Sequence, residues 1–323
     1  MKLPVLGSIL LCMRTRRFCR LLAVASVAFG AFLPMWPGLS AQSVSAEAAE
    51  YNPGTPRENG APIAAGFGHV CVIVDPAPNG GGDLRCWGNN NTSQLGYPTT
   101  TGAMGDQPGE MGNNLPPTDI GAVKAVALTA GALHTCALRT DGMVKCWGDG
   151  TLGQLGIGAA TVIGDQAGEL ATAFPTGMGT GRTATMISAG DFFTCALLDN
   201  GKVKCWGVGG DGQLGHGAMT NLGDSGSETG DGLPVVDLGP NYRAVSITTG
   251  ASHACAVLDD GRVKCWGANA SGQLGLGDVN DRGDQPNEMG ANLPFVDLGT
   301  NAPVLAMTAG SAHTCAQIGA NQV

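Results

Sequence analysis

The chain has 323 residues, of which 53 are glycine, 13% are charged and 5% are aromatic. So much glycine indicates many turns and few long helices, while a hydrophobic content of 43% is enough for a packed core and argues against disorder. The formal net charge of −9 argues against binding to nucleic acids or to anionic membranes, because both require a basic surface on the protein.

Residues 1–46 are predicted to be a secretory signal peptide, and residues 47–62 a linker. Four arginines between positions 14 and 20 precede an apolar run from Leu21 to Leu33 and then small residues, the order typical of export signals. An uncleaved membrane anchor is the alternative, but this run is shorter than the roughly 20 residues that span a bilayer. The segment holds five basic residues and no acidic one, so its removal takes the net charge from −9 to −14. We expect a secreted, periplasmic or cell-surface protein that is not inserted in a membrane after cleavage.

The tetrapeptide Lys-Cys-Trp-Gly, with arginine for lysine in the first copy, recurs at residues 85–88, 145–148, 204–207 and 264–267. A period of about 60 residues fits the blade of a β-propeller or a comparable all-β unit. We predict one domain over 63–323 with about four strands in each repeat. The repeats span roughly 63–124, 125–183, 184–243 and 244–303, and a truncated fifth copy spans 304–323.

Each full repeat is predicted to contain a β-hairpin closed by a disulfide. In three copies the second cysteine follows the first by ten residues, with an Asp-Gly or Asn-Gly turn between them. A three-residue loop with Gly142 in the left-handed conformation places Cys136 opposite Cys146, whereas a two-residue loop would place it opposite Trp147. Directly opposed strand residues have the separation that a disulfide needs, and exported proteins meet an oxidising environment. The alternative is reduced, buried cysteine. The other predicted pairs are Cys71 with Cys86, Cys195 with Cys205, and Cys255 with Cys265.

Two repeated side-chain patterns are candidates for metal binding. One position holds His69, His134, His253 and His313, but it also holds Phe193, which favours packed histidines bonded to neighbouring backbone.

The long loops repeat an aspartate followed four residues later by a glutamate. This pattern makes calcium binding conceivable, although the alternative is that the aspartate bonds its own loop backbone while the glutamate is solvated. The stretch with the most possible calcium ligands contains Asp278, Asn280, Asp284 and Glu288, which are weak candidates.

The segments Ala-Gly-x-x-His-x-Cys, Asp-Gly-x-Val-Lys-Cys-Trp-Gly and Gly-Gln-Leu-Gly recur in this order. Together they resemble the repeats of the regulator of chromosome condensation (RCC1-like) superfamily over roughly residues 63–323. The resemblance implies a seven-bladed β-propeller, of which four full repeats would form an incomplete ring. It implies no single activity, since the family includes a nuclear nucleotide-exchange factor, extracellular and bacterial repeat proteins, and a secreted β-lactamase inhibitor.

The last residues predict an interrupted copy of the repeat. Placing residues 315–323 on residues 195–203 puts the expected partner of Cys315 two positions beyond Val323. We therefore expect Cys315 to be unpaired because the array is truncated. A natural truncation, or an open array completed by a second chain, are the alternatives.

The sequence favours a non-enzymatic binding scaffold whose partner is a protein or another extracellular ligand. No cofactor is expected, and no residue identifies the ligand. An inhibitor of an extracellular enzyme is the second hypothesis. An enzyme is the third, because no serine-histidine-acid order, phosphate-binding loop or paired catalytic carboxylate stands out from the repeats.

Overall fold

A computed structural model of the chain describes residues 62–74, 81–98 and 102–319. The predicted signal peptide and nearly all of the predicted linker lie outside the described residues, as does the last part of the fifth repeat.

The first two repeats each form one antiparallel sheet. The first sheet consists of β1 (Ile63–Ala65), β2 (His69–Val74), β3 (Asp83–Asn89) and β4 (Ala103–Met104). The second consists of β5 (Ala125–Ala130), β6 (His134–Arg139) and β7 (Val144–Gly148). A one-turn helix, α1 (Glu169–Thr172), lies in the long segment that follows β7.

The later repeats have the same order of strands. The third sheet consists of β8 (Ala184–Ala189), β9 (Phe193–Leu198) and β10 (Val203–Gly207). The fourth consists of β11 (Ala244–Thr249), β12 (His253–Leu258) and β13 (Val263–Gly267). The fifth repeat contributes β14 (Val304–Gly310) and β15 (His313–Ile318). The all-β architecture of repeated sheets predicted from the sequence is confirmed.

The hairpin register follows the predicted three-residue turn. The amide of Arg139 donates to the carbonyl of Met143 at 2.9 Å, and Gly142 adopts a φ of 75°. This register places Cys136 opposite Cys146, and the same pairing occurs at the other three hairpins. The four cysteine pairs form disulfides, each with a Cα–Cα separation of 4.0 or 4.1 Å. Because the loops they close are short, the chain-entropy model attributes about 3 kcal/mol or less to each bond.

The fourth strand expected in each repeat is mostly replaced by irregular chain. The segment that contains Pro175 makes one bridge, in which the amide of Thr176 donates to the carbonyl of Val144 at 2.8 Å. Val236 and Val296, which each follow a proline by two residues, make single equivalent bonds to β10 and β13. Proline has no amide hydrogen, so a regular ladder cannot extend through these segments.

The core lies between neighbouring sheets, where apolar residues of successive repeats form shared clusters. The turns before β6, β9, β12 and β15 are linked from repeat to repeat by backbone hydrogen bonds of 2.8 to 3.1 Å that join residues 132, 191, 251 and 311. None of the helical segments in the part of the chain that the structure describes has the length and apolarity to span a bilayer.

Candidate functional site

Three tryptophans join each repeat to the one before it. Trp147, Trp206 and Trp266 are fully buried. Their indole Nε1 atoms donate at 3.0 Å to main-chain carbonyls of the preceding Gln-Leu-Gly turns, which belong to Gln94, Gln154 and Gln213. This geometry leaves the three indole rings no free face on which a sugar could stack.

The glycine of each of the first three Gln-Leu-Gly turns, Gly96, Gly156 and Gly215, is required by this packing. Gly156 has a φ of 65°, and a Cβ atom at this position would lie 2.7 Å from Cδ1 of Trp206. A larger residue would therefore be strained in its backbone and would also displace the indole ring.

A second link between repeats runs through the repeated histidines. His134 Nε2 lies 2.8 Å from Thr194 Oγ1 in the next repeat, and Thr194 Oγ1 donates at 3.3 Å to the carbonyl of Gln154. The threonine has one proton, so when it donates to the carbonyl the histidine must donate from Nε2–H. His69 with Thr135 and His253 with Thr314 make the same contact at 2.8 and 2.9 Å.

Three of the four repeated histidines are buried, as the sequence interpretation expected, but their bonding partner differs. His69, His134 and His253 contact a threonine hydroxyl of the next repeat rather than neighbouring backbone, whereas His313 is exposed. Within residues 62–74, 81–98 and 102–319, no group of three or more histidine, cysteine or acidic residues is placed to hold a metal ion. Burial lowers the pKa of His69 and His253 to about 4 and that of His134 to about 3, so the rings are neutral at pH 7.

The structure explains why one repeat has phenylalanine at the histidine position. Phe193 occupies the histidine position of the third repeat, and the residue at the threonine position of the fourth repeat is Ala254. Both side chains are buried. A ring without a donor therefore faces a side chain without a hydroxyl, and neither partner leaves a polar atom unpaired.

This exchange predicts a measurable coupling. The changes His134→Phe and Thr194→Ala should each cost about 1 to 3 kcal/mol, because each leaves a buried polar group without its partner. The double variant should cost less than the sum by about 1 kcal/mol, since it copies Phe193 and Ala254. Urea unfolding of the four proteins of the cycle provides the values. The reciprocal pair Phe193→His and Ala254→Thr is the control, and strictly additive costs in both cycles would contradict the coupling.

The glutamates of the long loops bind loop backbone. Four segments, at residues 105–110, 164–169, 223–228 and 283–288, begin with Gly-Asp and end with glutamate; we call them the anchored loops. In each, Oε2 of the glutamate accepts a hydrogen bond of 2.7 to 3.1 Å from the amide of the first glycine. The sequence interpretation had assigned backbone bonding to the aspartate and solvation to the glutamate, and for the glutamates it was wrong.

Buried lysines hold the chain that follows three of these loops. Lys145, Lys204 and Lys264 are at most 5% exposed. Their Nζ atoms donate to main-chain carbonyls of residues 171, 230 and 290, at 3.1, 2.6 and 2.6 Å. Burial lowers the pKa of Lys145 to about 8 and also lowers the pKa of the other two. Each lysine therefore ties a long loop to the third strand of its own sheet.

The tips of the anchored loops are exposed and differ in sequence. The three residues after each aspartate are exposed in all four loops, and they read Gln-Pro-Gly, Gln-Ala-Gly, Ser-Gly-Ser and Gln-Pro-Asn. The loops also contact the preceding repeats: the amides of Gly158 and Gly217 donate at 3.0 Å to the carbonyls of Gly223 and Gly283. Fixed bases, exposed variable tips and contact from repeat to repeat make this row of loops the candidate binding site.

We expect the glutamate to control the rigidity of its loop. Replacing Glu169 with alanine removes the acceptor for the amide of Gly164, and hydrogen exchange at that amide should rise about tenfold. Hydrogen exchange followed by mass spectrometry or NMR measures this change. Asp165→Ala is the matched control at an exposed neighbouring carboxylate, and equal exchange in the two variants would contradict the role of the glutamate.

The predicted calcium ligands already have protein partners. Asp278 Oδ1 accepts from the amide of Asn280 at 3.0 Å, and Oδ2 pairs with Nη2 of Arg282 at 2.7 Å. These bonds, with the Asn280 amide as the largest cause, lower the pKa of Asp278. Glu288 anchors its loop, and Asp284 accepts from the side chain of Gln285 at 3.3 Å. Calcium binding here stays a prediction, and comparing the melting temperature in calcium with that in a chelator tests it.

The sequence interpretation did not assign roles to the lysine of Lys-Cys-Trp-Gly or to the carbonyl of Gln-Leu-Gly. Recurrence of a basic residue at the same position of every full repeat was the available signal.

His216 is half-buried, and its Nε2 has no hydrogen-bond partner among the described residues. Burial lowers the pKa of His216 to about 4.

Comparisons with known proteins agree on one type of repeat. The family pattern described as "Regulator of chromosome condensation (RCC1) repeat" matches residues 125–154, 186–213 and 244–273, and a second pattern of the same description matches residues 260–317. The ultraviolet-B receptor UVR8 of Arabidopsis thaliana is 33% identical over 227 residues, which are 68% of this chain and 44% of that protein. The E3 ubiquitin-protein ligase HERC2 of Homo sapiens is 29% identical over 224 residues, 68% of this chain and 4% of that protein.

Solved structures show the same fold. Prp20p from Saccharomyces cerevisiae aligns with a TM-score of 0.57 at 18% identity, over 81% of this chain and 56% of that chain. Yeast RCC1 (Prp20) bound to Kap60 aligns with a TM-score of 0.52 at 21% identity, over 79% of this chain and 53% of that chain. The chain thus spans less than half of the two curated relatives and little more than half of these solved chains.

Proposed function

Because the chain belongs to the regulator of chromosome condensation (RCC1) repeat superfamily, with β-propeller repeats, we propose that it is an exported, non-enzymatic binding protein whose anchored loops contact a protein partner. The observation that carries the proposal is the loop row itself. Each loop is fixed at its base by a glutamate, while its tip is free to contact a ligand. Preformed loops lose little conformational entropy on binding.

Relatives support a protein as the class of ligand. The solved structure of Prp20p is described with binding to Gsp1p and histones, and that of yeast RCC1 is a complex with Kap60. The net charge of −9 and the aspartate at the base of every tip favour a partner with a basic surface. The four disulfides and the export-like N-terminus support an oxidising location outside the cytoplasm.

The test adds positive charge at the loop tips, which should repel a partner with a basic surface. The double variant Gln166→Arg with Gln285→Arg should lose the proteins that the unaltered chain retains from the extracellular fraction of its source organism. The matched control is Thr140→Arg with Asn301→Arg, at exposed positions near the hairpin turns at the other end of the strands. Equal retention by both variants would exclude the loop row as the binding surface.

One observation favours inhibition of an extracellular enzyme as a second candidate function. Phe174 follows α1, next to an anchored loop, and is 87% exposed. Exposed aromatic side chains of this kind act as anchors in binding interfaces. Phe174→Ala should then reduce inhibition of the target enzyme far more than an alanine at exposed Leu152.

A further inference from the structure

The junction between the first two repeats differs from the two junctions that follow it. At the later junctions Gly158 and Gly217 stand two residues after the Gln-Leu-Gly turn, and their amides donate at 3.0 Å to the carbonyls of Gly223 and Gly283 in the next anchored loop. In the first repeat this position holds Pro98. Because proline has no amide hydrogen, it cannot make the same bond to the anchored loop of the second repeat.

A cleft lies at this first junction, where the later junctions have closely packed loop backbone. A Cβ atom added to Gly158 would lie 2.9 Å from Cα of Gly226, so the third anchored loop approaches that glycine closely. At the first junction the corresponding residues are Pro98 and Ala167, and both line the cleft, which we call the Pro98 cleft. Its volume is about 320 Å³. This value is within the range of ligand pockets, which begins at about 300 Å³.

The Pro98 cleft combines apolar walls with two exposed polar side chains. Its other apolar lining residues include Tyr97, Met104, Pro116, Pro117 and Leu170. Asp119 and Gln166 also line the cleft, and both are exposed. Apolar walls beside a carboxylate suit a side chain that has an aliphatic stem and a cationic head.

The two walls of the cleft are held together by contacts within the protein. Nζ of Lys145 donates to the carbonyls of Ile120 and Ala171, at 3.4 and 3.1 Å, and so joins the wall of the first repeat to that of the second. Leu170 packs so closely on Gly96 that a Cβ atom there would lie 2.7 Å from Cδ2 of the leucine. A cleft that is fixed before binding loses little conformational entropy when it is occupied.

The exposed charge around the cleft is negative. The wall segments 102–123 and 163–178 have no basic residue, and their acidic residues are Asp106, Glu110, Asp119, Asp165 and Glu169. The ammonium group of Lys145 lies beneath the walls, and this residue is 1% exposed. Oδ1 of Asp119 accepts the amide of Gly121 at 2.9 Å, whereas Oδ2 has no protein partner among the described residues. The cleft is therefore complementary to a cation.

We propose that the Pro98 cleft binds an arginine side chain of the protein partner. The stem of the arginine lies against Leu170 and the proline rings, and its guanidinium donates to the carboxylate of Asp119 and the side-chain carbonyl of Gln166. Arginine suits this pair of acceptors better than lysine, because its planar head carries five donors in a fixed fork. The assignment rests on the proposed function, since it names the side chain by which a basic partner is recognised.

The first test measures binding of an isolated arginine side chain. The probe is N-acetylarginine N-methylamide, titrated into the ¹⁵N-labelled full chain while the amide signals of Gly96, Gly168 and Ala171 are followed by NMR. The dissociation constant should be on the order of 1 mM, as expected for a ligand of this size. The citrulline analogue has nearly the same shape without the charge, and it should bind at least about tenfold more weakly.

Three results of this titration would overturn the proposal. Equal binding of the arginine and citrulline analogues would show that charge is not recognised. Equal or tighter binding of the leucine analogue would show a pocket for apolar side chains only. The absence of any shift at about 20 mM arginine analogue would show that the cleft is not a binding site.

Removing one charge locates the guanidinium. Asp119→Asn keeps the acceptor for the amide of Gly121 but removes the negative charge. It should weaken binding of the arginine analogue about tenfold and leave binding of the citrulline analogue unchanged. The matched control is Asp106→Asn, at an exposed carboxylate of the first anchored loop that is not among the lining residues. Equal affinity of the two variants for the arginine analogue would contradict the role of Asp119.

Restoring the glycine of the later junctions tests the origin of the cleft. In Pro98→Gly the new amide can donate to the carbonyl of Gly164, so the cleft should narrow and the affinity for the arginine analogue should fall at least about tenfold. Pro108→Gly makes the same change at the exposed tip of the first anchored loop and should leave the affinity unaltered. Unchanged affinity in Pro98→Gly would overturn the assignment of the cleft as the binding site.

Failure of this inference is distinguishable from failure of the proposed function. The retention experiment with Gln166→Arg and Gln285→Arg reports whether a partner contacts the anchored loops, whereas the titration reports only on the cleft. Retention of a partner without binding of the arginine analogue would overturn the cleft alone. Binding of the arginine analogue without any retained protein would support the cleft and contradict the proposed function.

Discussion

Replacing Trp206 with alanine should lower the free energy of unfolding by about 3 to 5 kcal/mol. The indole is fully buried between two repeats, and its removal opens a cavity beside Gly156 and Gly223 while also deleting the bond to the carbonyl of Gln154. Trp206→Phe keeps most of the buried ring but removes the donor, so it should cost less. Urea unfolding followed by circular dichroism measures these changes.

Trp87 is the matched control for this experiment. It occupies the same repeat position, but it is only half-buried because no described repeat precedes it. Trp87→Ala should therefore cost well under half of the Trp206→Ala value. Both the midpoint and the slope of unfolding need to be compared, since repeat arrays can lose cooperativity. Equal costs at the two positions would show that burial between repeats is not the source of the stability.

Stability should decline steeply as the pH falls from about 6.5 to about 4. In the folded chain burial lowers the pKa of His69, His216 and His253 to about 4 and that of His134 to about 3, whereas an unfolded histidine titrates near 6.5. The unfolded state thus binds more protons in this window, and the stabilisation is present above pH 6.5 and is lost on acidification. For His134 alone the loss between pH 7 and pH 4.5 should be about 2 to 3 kcal/mol.

The double variant His134→Phe with Thr194→Ala tests the origin of this acid sensitivity. It removes one titrating ring while retaining a packing that the chain already uses at Phe193 and Ala254. The plot of unfolding free energy against pH should become shallower by about 2 kcal/mol over that interval. His313→Gln, at an exposed position, is the control. An unchanged slope in the double variant would assign the acid sensitivity to other groups.

Local patterns in the sequence were enough to predict the hairpins. The distance between Cys136 and Cys146, together with the Asp-Gly turn, left one register that opposes two cysteines, and this register is observed. Strand alternation and turn length are properties of a few adjacent residues, so no tertiary information was needed. The irregular fourth segment was missed because the interpretation counted apolar residues and gave too little weight to the prolines.

Contacts between repeats could not be read from the sequence in the same way. His134 and Thr194 are 60 residues apart, and their hydrogen bond depends on how one sheet packs against the next. The same holds for the indole of Trp206 on Gln154, 52 residues away. Within the loops, only the folded path of the chain decided that Glu169, rather than the neighbouring aspartate, accepts the amide of Gly164.

The sequence by itself determined the repeat, the all-β class and the cysteine pairing, because these follow from periodicity and from pairing between nearby residues. Tertiary structure alone decided which surfaces remain for binding. The tips of the anchored loops are exposed, and glutamates hold the bases of these loops in place. Exposure is a property of packing between sheets, and packing between sheets is set by shape complementarity that no single repeat contains.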